Sequence, residues 1–261
     1  MSITELARRY YIKTARYLLG KKFLPVMAGP LKGYQWSTAS SYEYILGNYE
    51  DPAIIEAFIS WLKPGSVFYD LGANIGFHSL MANKYISSGK IYAFEPIPFN
   101  RDVFQQHVAL SKEYVHNNNI QLLPYAIADK EKEVEFSNDK THHDGNTYIS
   151  DSDVFKAATE TIKVKCFSID GLMQQEFARP DVIKIDVEGA EYDVLCGAID
   201  TLKKYKPKIL LATHDCHLPG VKDKCVNLLK EIGYDIRALN NHNQRMEGLD
   251  DFIAEHHDPG Y

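Results

Sequence analysis

The sequence predicts an α/β protein, a parallel sheet with helices on both faces, and three observations predict it. From residue 66 onward, short apolar runs alternate with amphipathic stretches of helical length. No run of 18 apolar residues interrupts them, so no membrane span is expected. The 261 residues, 45% apolar and 25% charged, are enough to bury a full core without staples.

The elements follow in order. Residues 1–20 read as an amphipathic helix. Residues 23–50 are rich in Gly, Pro, Ser and aromatics and read as loops, with a short hairpin around "LKGYQWS". We take 1–50 as an N-terminal extension with lid-like loops and 51–261 as the main domain. "DPAIIEAFISWLK" is a helix, with Asp51 as cap, Pro52 in the first turn and Pro64-Gly65 as the stop. The strands expected next are "SVFYDLG", "GKIYAFEP", "IQLLPYAIA", "DVIKIDV", "PKILLAT" and "YDIRAL". The helices between them are "FHSLMANKYI", "PFNRDVFQQHVALSKE", "GAEYDVLCGAIDTLKKY" and "VKDKCVNLLKEIG". "KEVEFSND" and "TIKVKCFSID" break the rhythm and read as an inserted hairpin around a long polar loop.

Composition narrows the partners. A net charge of −6 argues against a dedicated nucleic-acid binder, which carries a basic face. Cys166, Cys196, Cys216 and Cys225 form no CxxC pair, so neither a zinc knuckle nor a redox dithiol is signalled, and a cytoplasmic location is expected. The basic N-terminal helix lacks the apolar core of a signal peptide; packing on its own domain or on a partner is expected ahead of membrane-surface docking. A homodimer is among the assemblies open to the chain.

The chemistry starts at "VFYDLGANIGFHSL". Gly72 follows a strand end, and Gly76 lets the next helix pack close. A dinucleotide fingerprint would read G-x-G-x-x-G. Here the spacing is D-x-G-x-N-x-G, with Asn74 at the centre and Asp70 at the strand end. A carboxylate there repels a pyrophosphate but suits a ligand bearing a sulfonium. Glu95 ends the next strand, where an acid accepts ribose hydroxyls. A tight turn, a ribose acid and an extra carboxylate match S-adenosyl-L-methionine better than NAD.

Four segments, "FYDLGANIGFHSL", "IYAFEPIPFNRDVFQQHV", "LLPYAIAD" and "IKIDVEGAEYDVLCGA", occur in that order. Together they resemble the FkbM family of S-adenosyl-L-methionine-dependent methyltransferases, from about Gly47 to about Gly233. The resemblance implies a class I (Rossmann-like) methyltransferase sheet and O-methylation of a small-molecule, sugar or glycan hydroxyl. It implies that Asp70, Gly72, Asn74 and Gly76 wrap the methionine end of the cofactor and that Glu95 takes the ribose. Ala128 and Asp129 in "YAIAD" are expected near the adenine, Asp129 alternatively capping a turn. Glu50, in a segment like the family's G-x-Y-E, is expected to close over the cofactor. The alternatives are a methyltransferase of nucleic acid or protein, and an NAD-dependent oxidoreductase.

Asp186 and Glu188 sit at a strand end beside the crevice. The strand "PKILLATHDCH" ends at His214; where relatives place an acid two residues earlier, this chain has Ala212. His214 is expected as general base, since its pKa lies near working pH, with Glu188 or Asp186 orienting it or the substrate. Glu191 reads as a helix-dipole acid and His78 as a packing residue. Asp186, Glu188, His214, Asp215 and His217 could ligate a divalent ion, but no spacing is diagnostic, and metal-independent chemistry is favoured. Tyr34, Trp36, Tyr42, Tyr44 and Tyr148 either stack on an acceptor ring or pack.

Overall fold

The structure, a computed structural model, describes residues 3–115, 118–137, 161–239 and 248–256. The polar loop expected between the two inserted strands, with His142, His143 and Tyr148, lies outside the described residues.

The chain begins with α1 (Ile3–Tyr17), an antiparallel pair of β1 (Phe23–Pro25) and β2 (Gln35–Ser37), and a short α2 (Tyr42–Leu46). Next is α3 (Pro52–Trp61), where the Asp51 carboxylate accepts from the Ala53 N–H at 2.8 Å, the cap the sequence predicts. Then come β3 (Val67–Leu71), α4 (Phe77–Asn83), β4 (Lys90–Phe94), α5 (Pro98–Leu110) and β5 (Ile120–Leu123). The insertion holds β6 (Ala126–Ile127), β7 (Lys132–Ser137) and β8 (Thr161–Phe167), followed by α6 (Ile169–Leu172). The chain returns through β9 (Val182–Ile185), α7 (Glu191–Cys196), α8 (Ile199–Tyr205), β10 (Lys208–His214), α9 (Val221–Glu231), β11 (Tyr234–Leu239) and β12 (Leu249–His256).

The seven-stranded sheet has the order β11-β12-β10-β9-β3-β4-β5. The pairs β3–β4, β4–β5, β3–β9 and β9–β10 are parallel, as expected. The sheet is nevertheless mixed. β12 runs antiparallel between β10 and β11. The sequence reading leaves β12 unassigned because "LDDFIAEH" buries only Phe252, Ile253 and Ala254 together and shows no alternation.

Two expected elements divide. The run "IQLLPYAIA" breaks at Pro124, which has no N–H for a ladder. β5 stays in the main sheet, while β6 joins β8 and β7 in a three-stranded one. The helix expected over "GAEYDVLCGAIDTLKKY" splits at Gly197, where any Cβ would collide with the Ala128 carbonyl. The inserted hairpin itself is present, with β7 and β8 antiparallel.

Alternation along β3 sets the layers: Phe68 and Asp70 face one side, Tyr69 and Leu71 the other. Phe68 joins a cluster with Phe58, Leu80 and Phe104, and Tyr69 joins one with Ile183, Leu202 and Leu229. The N-terminal segment belongs to the first cluster through Ile12, Ala15, Leu24 and Trp36. It is also tied by hydrogen bonds. Ser37 N–H donates to His107 Nε2, and His107 Nδ1 lies 2.9 Å from the Ile75 carbonyl in the glycine turn. Tyr34 and Trp36 are therefore packing residues, fully buried.

Candidate active site

The carboxyl ends of β3, β4 and β9 open onto one cleft, the place where open α/β sheets bind ligands.

Backbone shapes its first wall. Gly72 has φ +73°, and a Cβ there would run into the Asp186 carbonyl. Gly76 has φ +95°, and a Cβ would strike the Phe104 ring. Asn74 also sits at positive φ, 48°, a conformation asparagine tolerates better than most residues. Its N–H donates to Glu95 Oε2 at 2.8 Å. Glu95 Oε1 accepts from the Ile97 N–H and from Asn100 Nδ2, at 2.9 and 3.2 Å. A carboxylate offers about four acceptor positions, so one remains toward the cleft. Burial pushes the Glu95 pKa up to about 7, against the lowering effect of these hydrogen bonds and of Lys184.

Beneath the turn lies a buried charge relay. Lys184 is 4% exposed. Its Nζ donates to the Gly72 carbonyl at 2.8 Å and sits 3.1 Å from Asp186 Oδ2 and 3.7 Å from Asp70 Oδ1. Burial works to lower its pKa, but Asp186 and Asp70 hold it above the usual range. Asp70 is wholly buried and takes a 2.6 Å hydrogen bond from Ser79. Burial raises its pKa, partly offset by Lys184 and Ser79. The Asp70 side chain is not among the residues lining the cleft, and it anchors the turn from below through Lys184 and Ser79.

The second wall is lined by Asp186 and Glu188, with a cluster of a further acid and two imidazoles packed behind them. Asp186 Oδ1 and Glu188 Oε2 each lie 3.5 Å from His214 Nε2. His217 Nδ1 is 3.0 Å from Glu188 Oε2, and the two imidazole rings stack at 5.4 Å. Behind them, fully buried Glu191 meets His214 Nδ1 at 2.8 Å and accepts the Gly189 N–H at 2.9 Å. Glu191 thus supplies the acid that Ala212 lacks, a role the sequence reading missed. A glutamate in the first turn of a short helix reads as a dipole partner until the fold brings β10 beside it. Asp215 goes elsewhere, capping α9 through the Lys222 N–H at 2.8 Å. Burial works to lower the His214 pKa, but Glu191, Glu188 and Asp186 together push it up to about 10. Burial likewise works to raise Asp186, while Lys184 and His214 hold it low.

The remaining predicted residues scatter. Ala128 lines the cleft beside Ile127, Val134 and Phe136. Asp129 turns to Lys132 at 2.6 Å, which holds its pKa below the usual range. Glu50 lies 3.6 Å from His78 Nε2 and borders a shallow hollow beside the cleft. His78 is buried as expected, yet also lines the cleft. Tyr44 and Tyr49 stack at 3.6 Å and form an aromatic rim. Lys184 was not anticipated either; the only signal was a lysine inside the apolar run "DVIKI".

This sheet, with its cleft at the strand ends and an acid after the second strand, is the class I methyltransferase fold. A solved FkbM methyltransferase from Methylobacillus flagellatus shares it: TM-score 0.50 at 18% identity, covering 75% of this chain and 44% of that one. The methyltransferase FkbM domain matches residues 70–256, and the chain belongs to that family. The hexuronic acid methyltransferase AglP of Haloferax volcanii is 26% identical over 152 residues, 58% of this chain and 57% of AglP. The methyltransferase sdnD of Sordaria araneosa is 25% identical over 204 residues, 68% of this chain and 77% of sdnD. The match thus spans little more than half of AglP's length.

Proposed function

We propose that the protein is an S-adenosyl-L-methionine-dependent O-methyltransferase whose acceptor is a hydroxyl of a small molecule, most simply a sugar or glycan. One observation carries the reading: a ribose-type acid with a spare acceptor position, Glu95, lines the same cleft as Asp186 and Glu188, which have His214 packed against them. Family membership favours methyl transfer over the oxidoreductase alternative, and the relative that acts on a hexuronic acid favours a sugar acceptor.

The residues fit the cofactor. Gly72 and Asn74 leave the backbone open to the methionine end, Glu95 takes the ribose hydroxyls, and Ile127, Ala128 and Phe136 give the adenine an apolar seat. When bound, S-adenosyl-L-methionine supplies a methyl carbon on a positive sulfur, open to in-line displacement by oxygen. Everything else falls to the chain. The Tyr44–Tyr49 rim, from the N-terminal segment that we propose as a lid, excludes water and offers a face to an acceptor ring. The Asp186–Glu188–His214 cluster receives the hydroxyl proton and orients the oxygen, alignment being a large share of the rate. His214 acts within this shared set, because its carboxylate neighbours favour its protonated form. Four unpaired thiols suit a reducing compartment such as the cytoplasm.

The test is a panel of hydroxylated acceptors with methyl-labelled cofactor. Label in a base-stable ether on a sugar is the expected result; label only in nucleic acid or protein, or none with any acceptor, would contradict it.

A further inference from the structure

We propose that Asp186, Glu188 and His214 form a binding site for one divalent cation on the acceptor side of the cleft, with Glu191 and His217 as supporting groups. The inference deepens the O-methyltransferase reading and rests on it for the cation's role, while binding itself stands on the geometry alone.

Three ligand atoms, one from each residue, lie within 4.8 Å of one another. Ligands of a single octahedral ion at about 2.1 Å stand roughly 3 Å apart along an edge and roughly 4.2 Å across, so one ion reaches all three with small side-chain adjustments. His214 Nε2 is 3.5 Å from each carboxylate, longer than a good hydrogen bond. The cluster is therefore spaced more loosely than a set of groups bonded directly to one another.

The supporting contacts point the same way. Glu191 can only accept, so His214 Nδ1 carries the hydrogen of their 2.8 Å contact. In the neutral ring this turns the Nε2 lone pair toward Asp186 and Glu188. A buried carboxylate fixing a histidine tautomer from behind is the usual support of a metal-ligating imidazole. Lys184 holds Asp186 by Oδ2 at 3.1 Å, leaving Oδ1 toward His214. His217 steadies Glu188 at 3.0 Å. Asp186 and His214 are thus each held by their outer atom with the inner one facing the cluster, while His217 meets Glu188 at Oε2, the oxygen that also faces His214.

The donor set selects the ion. One imidazole with two carboxylates suits Mn²⁺, Co²⁺ or Zn²⁺ better than an all-oxygen ion such as Ca²⁺. Asp186 and Glu188 line the cleft, so coordination positions left open face the acceptor. An ion there acts as a Lewis acid on the acceptor oxygen and makes its proton easier to lose. The acceptor class follows: a sugar or polyol presenting two adjacent oxygens, vicinal hydroxyls or a hydroxyl beside a carboxylate, which can chelate one ion.

The experiment uses the full chain, stripped by chelator and free of acceptor, titrated with Mn²⁺ by electron paramagnetic resonance and calorimetry. S-adenosylhomocysteine binding is measured in parallel as a check of the fold. One Mn²⁺ per chain is expected. His214→Asn should lower its affinity at least tenfold, and Glu191→Gln, which leaves all three ligands in place, about 10–100-fold. Either variant should still bind S-adenosylhomocysteine. The proposal is overturned if the stripped chain binds S-adenosylhomocysteine but takes up no Mn²⁺, Co²⁺ or Zn²⁺ at millimolar concentration. It is equally overturned if His214→Asn binds Mn²⁺ like the unaltered chain. Stoichiometric Mn²⁺ binding in a chain that fails to bind S-adenosylhomocysteine supports the site and counts against the proposed function instead.

Discussion

The wall at the ends of β3 and β4 is made mostly of backbone, and the wall at the ends of β9 and β10 mostly of side chains. In the first, positive-φ residues Gly72, Asn74 and Gly76 shape a turn that lines the cleft together with Glu95, which accepts the Asn74 N–H. In the second, Asp186, Glu188, Glu191, His214 and His217 converge from two strand ends and a helix start. A wall of backbone tolerates almost no added volume. A wall of charged side chains tolerates volume but not the loss of a partner. Lys184 belongs to both, since it touches the Gly72 carbonyl and Asp186.

That shared lysine gives the largest expected effect. Lys184→Met leaves the wholly buried Asp70 without its cation. Breaking such a pair costs about 3–5 kcal/mol, read as a lower urea midpoint, and S-adenosylhomocysteine binding should fall with it. A midpoint near that of the unaltered chain would show that the two walls are not coupled through Lys184.

Next comes Gly72→Ala, which breaks only the backbone wall. The new methyl meets the Asp186 carbonyl at a φ that alanine avoids, so a stability loss of about 1–3 kcal/mol and loss of cofactor binding are expected. Calorimetry with S-adenosylhomocysteine checks both.

Glu95→Gln is milder and sharpens the comparison through pH. Losing a charged acceptor should weaken S-adenosylhomocysteine binding by about 1.5–3 kcal/mol, roughly tenfold to hundredfold. The folded-state pKa of Glu95 is raised from 4.5 to about 7. The folded chain therefore binds this proton more tightly than the unfolded one, and the group's contribution to stability is lost as pH rises through that window. Cofactor binding should move oppositely, strengthening as pH rises through about 7 and the carboxylate forms. Glu95→Gln should flatten both trends, and an unchanged pH profile would remove Glu95 from the ribose site.

The smallest effect is Asp129→Asn. Its pairs with Lys132 and Lys130 are partly exposed, so a change of about 0–1 kcal/mol is expected. Cofactor binding should stay the same; a large loss would restore Asp129 to the adenine site.

The same contrast decides what the sequence made legible. The turn could be read because its cause is local: glycines at a strand end, with an acid at the next strand end. The strands could be read from apolar runs, except β12, whose acids hide its pairing with β10 and β11. The charged wall was legible only in part. Asp186, Glu188 and His214 were found through the family resemblance, but Glu191 and Lys184 were not. Glu191 reaches His214 across 23 residues, and Lys184 reaches the Gly72 carbonyl across 112. Nothing in their own neighbourhoods announces such partners. Asp70 is the converse case: in the sequence a strand-end acid looks open to a ligand, and in the fold the alternation of β3 turns its side chain into the core.

The most direct test of the two-wall account is His214→Ala, measured for both S-adenosylhomocysteine affinity and methyl transfer to any acceptor the unaltered chain accepts. The account predicts that affinity stays within about threefold while turnover falls on the order of a hundredfold or more, the usual worth of positioned acid–base chemistry. Near-normal turnover with intact binding, or affinity lost together with turnover, would contradict it.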